Sequence, residues 1–239
     1  MTLTNILDRL HLQKDPAKAI ILARFFKTGK GEYGEGDRFL GLTVPKIREA
    51  VRLYWREISL SDIEQLMQDK FHELRLTGLL VLVKQYNKGD SNTQKLVYDF
   101  YLSHLSGINN WDLVDLSAPN IVGEYLLTHP RQMLYELAIS HNLWHRRIAI
   151  LSTFTFIRHN DFKDALKISG ILLDDEHDLI HKAVGWMLRE IGKRESLSLT
   201  TFLDAHALHM PRTMLRYSIE KLSPSVREHY LSLKNGLIK

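Results

Sequence analysis

The sequence predicts an all-α fold. Three observations carry that reading: strand signals are nearly absent, helix-start signals recur along the chain, and a basic-then-small motif returns at a regular spacing. Runs of alternating β-branched residues are few. Apolar residues fall instead at the 3–4-residue spacing of a helix face.

Taken in order, the first helices are expected over residues 3–11 and 16–27, then over 44–57 and 61–69, the last opened by Ser61 and Glu64 as a capping box. The next, over 72–87, contains the longest apolar run, Leu79–Val83, which is far too short to span a bilayer. Ser91 with Gln94 opens a helix over 92–104, and helices over 110–127 and 130–139 follow. The segment 143–158 is apolar nearly all round, as suits a helix in the middle of an array. After 161–172 comes 178–192, with an apolar stripe of Ile180, Ala183, Val184, Met187, Leu188 and Ile191. Helices over 197–206 and 211–222 precede the last, 224–235, where Ser223-Pro224 supplies an N-cap and a proline at the first helical position.

The repeat is carried by Arg75-x-x-Gly78, Arg146-x-x-Ala149 and Lys182-x-x-Gly185, whose small residues lie 71 and then 36 positions apart. A small residue there lets two helices approach closely, as stacked helical pairs require. The spacing is that of an α-solenoid, and without a tetratricopeptide pattern the label becomes an α-α superhelix of HEAT-like repeats. An irregular helical bundle is the alternative. The unmatched repeat falls near residue 113, at Asn109-Asn110-Trp111-Asp112-Leu113-Val114-Asp115, and a repeat that departs from its own pattern is a place where function is grafted.

At 239 residues the chain is expected to form one domain over 1–239. It has no cysteine, which excludes disulfides, thiolate metal sites and cysteine nucleophiles and suits the cytoplasm. The N-terminus intersperses charges with apolar residues and does not read as a signal peptide. Net charge is +4, unevenly spread: 15 basic and 11 acidic residues in 1–88, 2 and 6 in 89–140, and 15 and 11 in 141–239. Two basic flanks fit a polyanionic partner such as nucleic acid, although many soluble proteins share that balance.

Several residues could carry chemistry. Trp186 points away from the apolar stripe of its helix, with Lys182, Arg189 and Lys193 as helical neighbours. It is either packed under an adjacent repeat beside snorkelling cations, or a platform for a sugar, base or cationic group flanked by phosphate contacts. Trp111 and Asp115 share one helical face. A carboxylate partly desolvated by an indole suits the stabilisation of a developing cation, whereas Asp112 or Asp115 as a helix cap is the plainer reading. Arg146 and Arg147 enter an almost wholly apolar helix, so Arg147 must find a carboxylate, a carbonyl end or a phosphate. Gly29-Lys30-Gly31-Glu32-Tyr33-Gly34 matches GxGxxG but follows a helix instead of a strand, so it makes no dinucleotide site. The pairs His141/His145 and His177/His181 lack the glutamate of a zinc motif, and no metal is expected.

The segments Trp111–Asp115, Asn142–Leu151 and His181–Glu190 resemble the bacterial DNA alkylation repair family, the AlkD-like DNA glycosylases. So do Phe26–Gly29 through Gly36–Gly41 with Val44-Pro45, and Met210–Tyr217 near the end. The resemblance spans almost the whole chain. It implies a C-shaped superhelix whose basic concave face holds duplex DNA, and hydrolysis of the N-glycosidic bond of 3-alkyladenine and 7-alkylguanine without metal or cofactor. It assigns the catalytic carboxylate to Asp115, the aromatic pair to Trp111 and Trp186, and the backbone-contacting arginine to Arg147. Lys182, Arg189, Lys193, Arg146, Arg212 and Arg216 are the expected DNA contacts. The glycine-rich loop 28–41 is longer than in some relatives, and no site is carried over to it.

The chemistry is coherent with these residues. Alkylation at N3 or N7 makes the purine a cation, so it leaves neutral and needs no general acid. One carboxylate beside the sugar then suffices, where glycosidases use two. Family members are thought to grip the lesion's sugar and phosphates without enclosing the base. A monomer acting in the cytoplasm on duplex DNA, with no membrane partner, is the expectation. The alternatives are a non-catalytic HEAT-like DNA-binding or damage-recognition protein, and a protein–protein scaffold.

Overall fold

The computed structural model describes residues 2–233, and among them fourteen α-helices and no strand are found, so the fold is all-α. They are α1 (Thr2–Leu12), α2 (Pro16–Phe25), α3 (Val44–Tyr54), α4 (Leu60–Met67), α5 (His72–Lys88), α6 (Ser91–Ser103), α7 (Trp111–Ala118), α8 (Gln132–Ala138), α9 (Leu143–Arg158), α10 (Lys163–Ile171), α11 (Asp178–Gly192), α12 (Ser196–His206), α13 (Arg212–Ser218) and α14 (Pro224–Ser232). The expected end of the last helix, at 235, lies outside the described residues. Among the described residues one isolated β-bridge joins Arg38 to Phe71. The helices fall into two compact units, Met1–Ile121 and Val122–Lys239.

In the first unit α5 is the core helix, buried continuously from His72 to Leu82, and α3, α4, α6 and α7 pack around it. Gly78 faces α4: a Cβ there would stand 3.2 Å from Leu66 Cβ and 3.3 Å from Met67 Cγ, so the small residue sets that approach. In the second unit α9 and α11 are central, α8 and α10 packing on α9 and α12 and α13 on α11. A Cβ on Gly185 of α11 would stand 2.6 Å from the Met214 carbonyl oxygen and 2.5 Å from Tyr217 Cβ, both on α13. Two of the small residues picked out by the repeat thus sit where helices touch.

The caps shift two starts. Helix α4 begins from Ser59, whose hydroxyl accepts from the Asp62 N–H at 3.2 Å while the Asp62 carboxylate takes the Ser59 N–H at 2.9 Å. This box sits two residues earlier than the expected one at Ser61. Helix α6 is capped by Asp90, which accepts from the Thr93 N–H at 2.9 Å, so Ser91 is its first residue. The expected continuous helix over 110–127 is α-helical only to Ala118, then π-helical over Pro119–Gly123. Proline has no N–H for the carbonyl four residues back, that of Asp115, so the ladder opens there.

Candidate functional site

The loop 37–42 is shaped by one buried carboxylate. Glu73, in the first turn of α5, accepts the N–H groups of Leu40 (2.9 Å), Gly41 (2.8 Å) and Leu42 (3.1 Å). Gly41 has φ +87°, and a Cβ there would lie 2.0 Å from the Asp15 carbonyl oxygen, so only glycine fits. The loop delivers Asp37 and Phe39 to the head of α5. There the buried His72 ring lies between two carboxylates, Nδ1 at 3.1 Å from Asp37 Oδ2 and Nε2 at 2.9 Å from Asp112 Oδ2. Arg75 donates to Asp37 Oδ1 at 2.6 Å and to the Asp69 carbonyl at 2.7 Å, and Asn109 adds a bond to Asp37 at 3.0 Å. Burial alone would drive the His72 ring toward neutrality, but the hydrogen bonds to Asp112 and Asp37 push its pKa up to about 9. Burial likewise disfavours the Asp37 charge, yet His72 and Arg75 hold its carboxyl below the usual carboxylate range.

This network anchors the start of α7. Asn110 caps the helix, its side chain accepting from the Trp111 N–H at 2.9 Å, and Asp112 in the first turn is held by His72. The Trp111 indole stacks on Phe26 (centroids 5.0 Å, 12°), and Phe26 stacks in turn on Phe39 (5.1 Å, 23°). Asp115 lies one turn further along. Trp111 and Asp115 both line a cavity of about 450 Å³ in the first unit, otherwise walled mainly by apolar groups such as Phe25, Leu22 and Val44. The exposed Phe25 stands edge-on to Trp111 at 5.8 Å. Deeper in, the Tyr101 hydroxyl bonds Ser117 at 2.9 Å, and burial together with the nearby Asp115 charge raises its pKa. A carboxylate, an indole and a largely apolar wall thus share one concavity, where a positive charge on a guest gains both Coulombic and cation–π attraction.

The remaining expected residues lie in the second unit. Arg147 is buried on α9 and donates to the Leu179 carbonyl on α11 at 2.6 Å. Trp186 on α11 is half-buried and tilted against Phe154 of α9 at 5.6 Å. Its cationic neighbours hold carboxylates: Lys182 pairs with Asp178 at 2.7 Å, Lys193 with Glu190 at 2.7 Å, and Arg189 with Glu220. Arg146 grips the buried Asp175 at 2.6 Å and two carbonyls at 2.9 Å, those of Ser140 and His141. Arg212 donates to the Leu231 carbonyl at 3.0 Å, and Arg216 is exposed.

Sequence reasoning overlooked Asp37, His72, Glu73 and the roles of Arg75 and Asn109. A signal was present: three ionisable side chains, His72, Glu73 and Arg75, stand immediately before the apolar run Leu79–Val83 on one helix, where each must find a partner.

Residues 6–222 match the family described as DNA alkylation repair enzyme. No curated protein matches the sequence. A solved structure described as "Predicted DNA alkylation repair enzyme from Enterococcus faecalis" superposes with a TM-score of 0.70 at 17% identity, covering 89% of this chain and 98% of that one. At that identity the likeness speaks for the fold.

Proposed function

Since the chain belongs to the DNA alkylation repair enzyme family, we propose that it is a DNA glycosylase that releases cationic alkylated purines, 3-alkyladenine and 7-alkylguanine, from duplex DNA. The observation that carries the proposal is the shared cavity of Trp111 and Asp115, one helical turn apart on α7. A purine alkylated at N3 or N7 already bears the positive charge that protonation would otherwise supply, so bond breaking passes that charge to the sugar. The Asp115 carboxylate stabilises the sugar cation and orients the attacking water. The Trp111 face adds cation–π attraction of about 0.5–2 kcal/mol, the larger value where water is excluded. No metal or cofactor takes part in this scheme.

In the second unit, Trp186 and Arg147 are proposed to engage the lesion's nucleotide and its backbone, with Lys182, Arg189, Lys193, Arg146, Arg212 and Arg216 meeting phosphates. Exposed ion pairs such as those of Lys182 and Lys193 are worth about 0–1 kcal/mol, so exchanging their carboxylates for phosphates costs little. Arg146, tied to the buried Asp175, gives up more. We picture a HEAT-like superhelix acting as a cytoplasmic monomer. The test is to incubate the protein with methylated duplex and separate the products. Free 7-methylguanine and abasic sites are expected. Intact alkylated strands, bound but unchanged, would identify a damage-recognition protein instead.

A further inference from the structure

Both ring nitrogens of His72 face carboxylate oxygens, Nδ1 toward Asp37 and Nε2 toward Asp112. Carboxylates only accept, so both nitrogens must donate, and only the imidazolium has two N–H groups. Neutral imidazole would leave one buried carboxylate facing a lone pair. Asp37 and Asp112 are themselves buried, and Asp112 Oδ1 has no hydrogen-bond partner, so His72 is the principal group holding that carboxylate. The helix it secures, α7, has only eight residues, and Trp111 and Asp115 flank Asp112 on it. Phe26 and Phe39 pack on the His72 ring at 4.8 Å each, and Phe26 also carries Trp111, so the ring supports the indole through a second route.

We propose that His72, as an imidazolium bridging Asp37 and Asp112, is a positioning residue that holds the first turn of α7 so that Asp115 and Trp111 meet the lesion. The proposal rests on the glycosylase reading above. The charged groups around the ring are Asp37 from the loop, Asp112 and Asp115 from α7, Glu73 and Arg75 from its own helix, and Lys18 from α2, while α3 presents only Val44, Pro45 and Ile47 to the same cavity. Arg75 bonds the Asp37 oxygen that His72 leaves, so the cations divide that carboxylate between them. A neutral ring keeps one N–H and turns a lone pair toward the other carboxylate, so loss of the second ring proton opens the bridge between the loop and α7.

The test is a single-turnover pH–rate profile for release of 7-methylguanine by the wild type, His72→Gln and Asp112→Asn, alongside nitrogen-15 spectra of the wild-type histidine rings. The expected wild-type rate is level through neutrality and falls at alkaline pH, together with the loss of one His72 ring proton, while duplex affinity and helical content hold. Asp112→Asn removes one of the two carboxylates that retain the proton, so its alkaline limb moves at least about one pH unit toward neutrality. His72→Gln can donate to only one of the two carboxylates and is expected to be about tenfold slower, with that limb gone. A singly protonated His72 at neutral pH overturns the proposal, as does a limb that stays in place in Asp112→Asn. Should a variant not fold, the coincidence of limb and ring titration in the wild type decides. If the wild type frees no base at any pH, the glycosylase reading falls first and the proposal with it; if it frees base with an unmoved limb, only the proposal falls.

Discussion

Replacing Glu73 with Gln changes one buried atom from oxygen to nitrogen and removes one of the three bonds by which this side chain holds the loop 37–42 to α5. The carboxylate divides three backbone donors between its oxygens: Oε2 takes Leu40, and Oε1 takes Gly41 and Leu42. An amide can keep its oxygen on Gly41 and Leu42, but its NH2 then confronts the Leu40 N–H. One charge-assisted bond is lost, worth about 1.5–3 kcal/mol, and the buried amide group left without an acceptor costs about 1–3 kcal/mol more. The expected loss is about 3–5 kcal/mol, a large share of the 5–15 kcal/mol typical of a whole domain. Urea unfolding followed by circular dichroism reads this as a lower midpoint, and thermal unfolding as a fall of about 10 °C. A Glu73→Gln protein within about 0.5 kcal/mol of the wild type, the size of an ordinary surface substitution, would refute the reasoning.

Three further outcomes follow from the same contacts. Gly185→Ala forces α13 away from α11, because its Cβ would lie 2.5 Å from Tyr217 Cβ. Overpacking of about 1–3 kcal/mol exceeds the roughly 1 kcal/mol that alanine gains in a helix, so a lower melting temperature is expected and a higher one would contradict the packing. His72, whose pKa is raised from 6.5 to about 9, stabilises the fold in full below pH 6.5, and that contribution drains away as pH rises through 9. The gap corresponds to about 3 kcal/mol, and urea midpoints compared between His72→Gln and wild type should converge on the alkaline side. Lys182→Ala and Lys193→Ala should each lower the slope of log affinity for duplex against log salt by about 0.9 if they meet phosphates; an unchanged slope removes them from the interface.

Much of the fold was legible because helical periodicity is a local property. The expected helices over 178–192 and 143–158 coincide with α11 and α9 to the residue, since each is fixed by burial of its own apolar residues. Starts at α4 and α6 were displaced because several Ser and Asp residues compete as caps, and the tertiary position of Ile63 or Val97 decides between them. The break at Pro119 is readable from proline chemistry, since its ring nitrogen has no N–H for the Asp115 carbonyl. At the site, Trp111 and Asp115 stand out by helical spacing alone. Asp37 does not: it lies 35 residues from His72 and 75 from Asp112, in a glycine-rich loop whose path depends on Glu73. Pairings at that separation have no local signature. The cations of the second unit illustrate the converse, since Arg146 looks like a phosphate ligand in sequence and holds Asp175 in the fold.

The most direct measurement is the single-turnover release of 7-methylguanine by Asp115→Asn at saturating protein. The substitution keeps the shape of the cavity and removes only the charge proposed to face the forming sugar cation. A rate lower by about 10²-fold or more, with duplex affinity unchanged within about twofold, is the predicted result. Release at the wild-type rate would place the chemistry elsewhere and contradict the account.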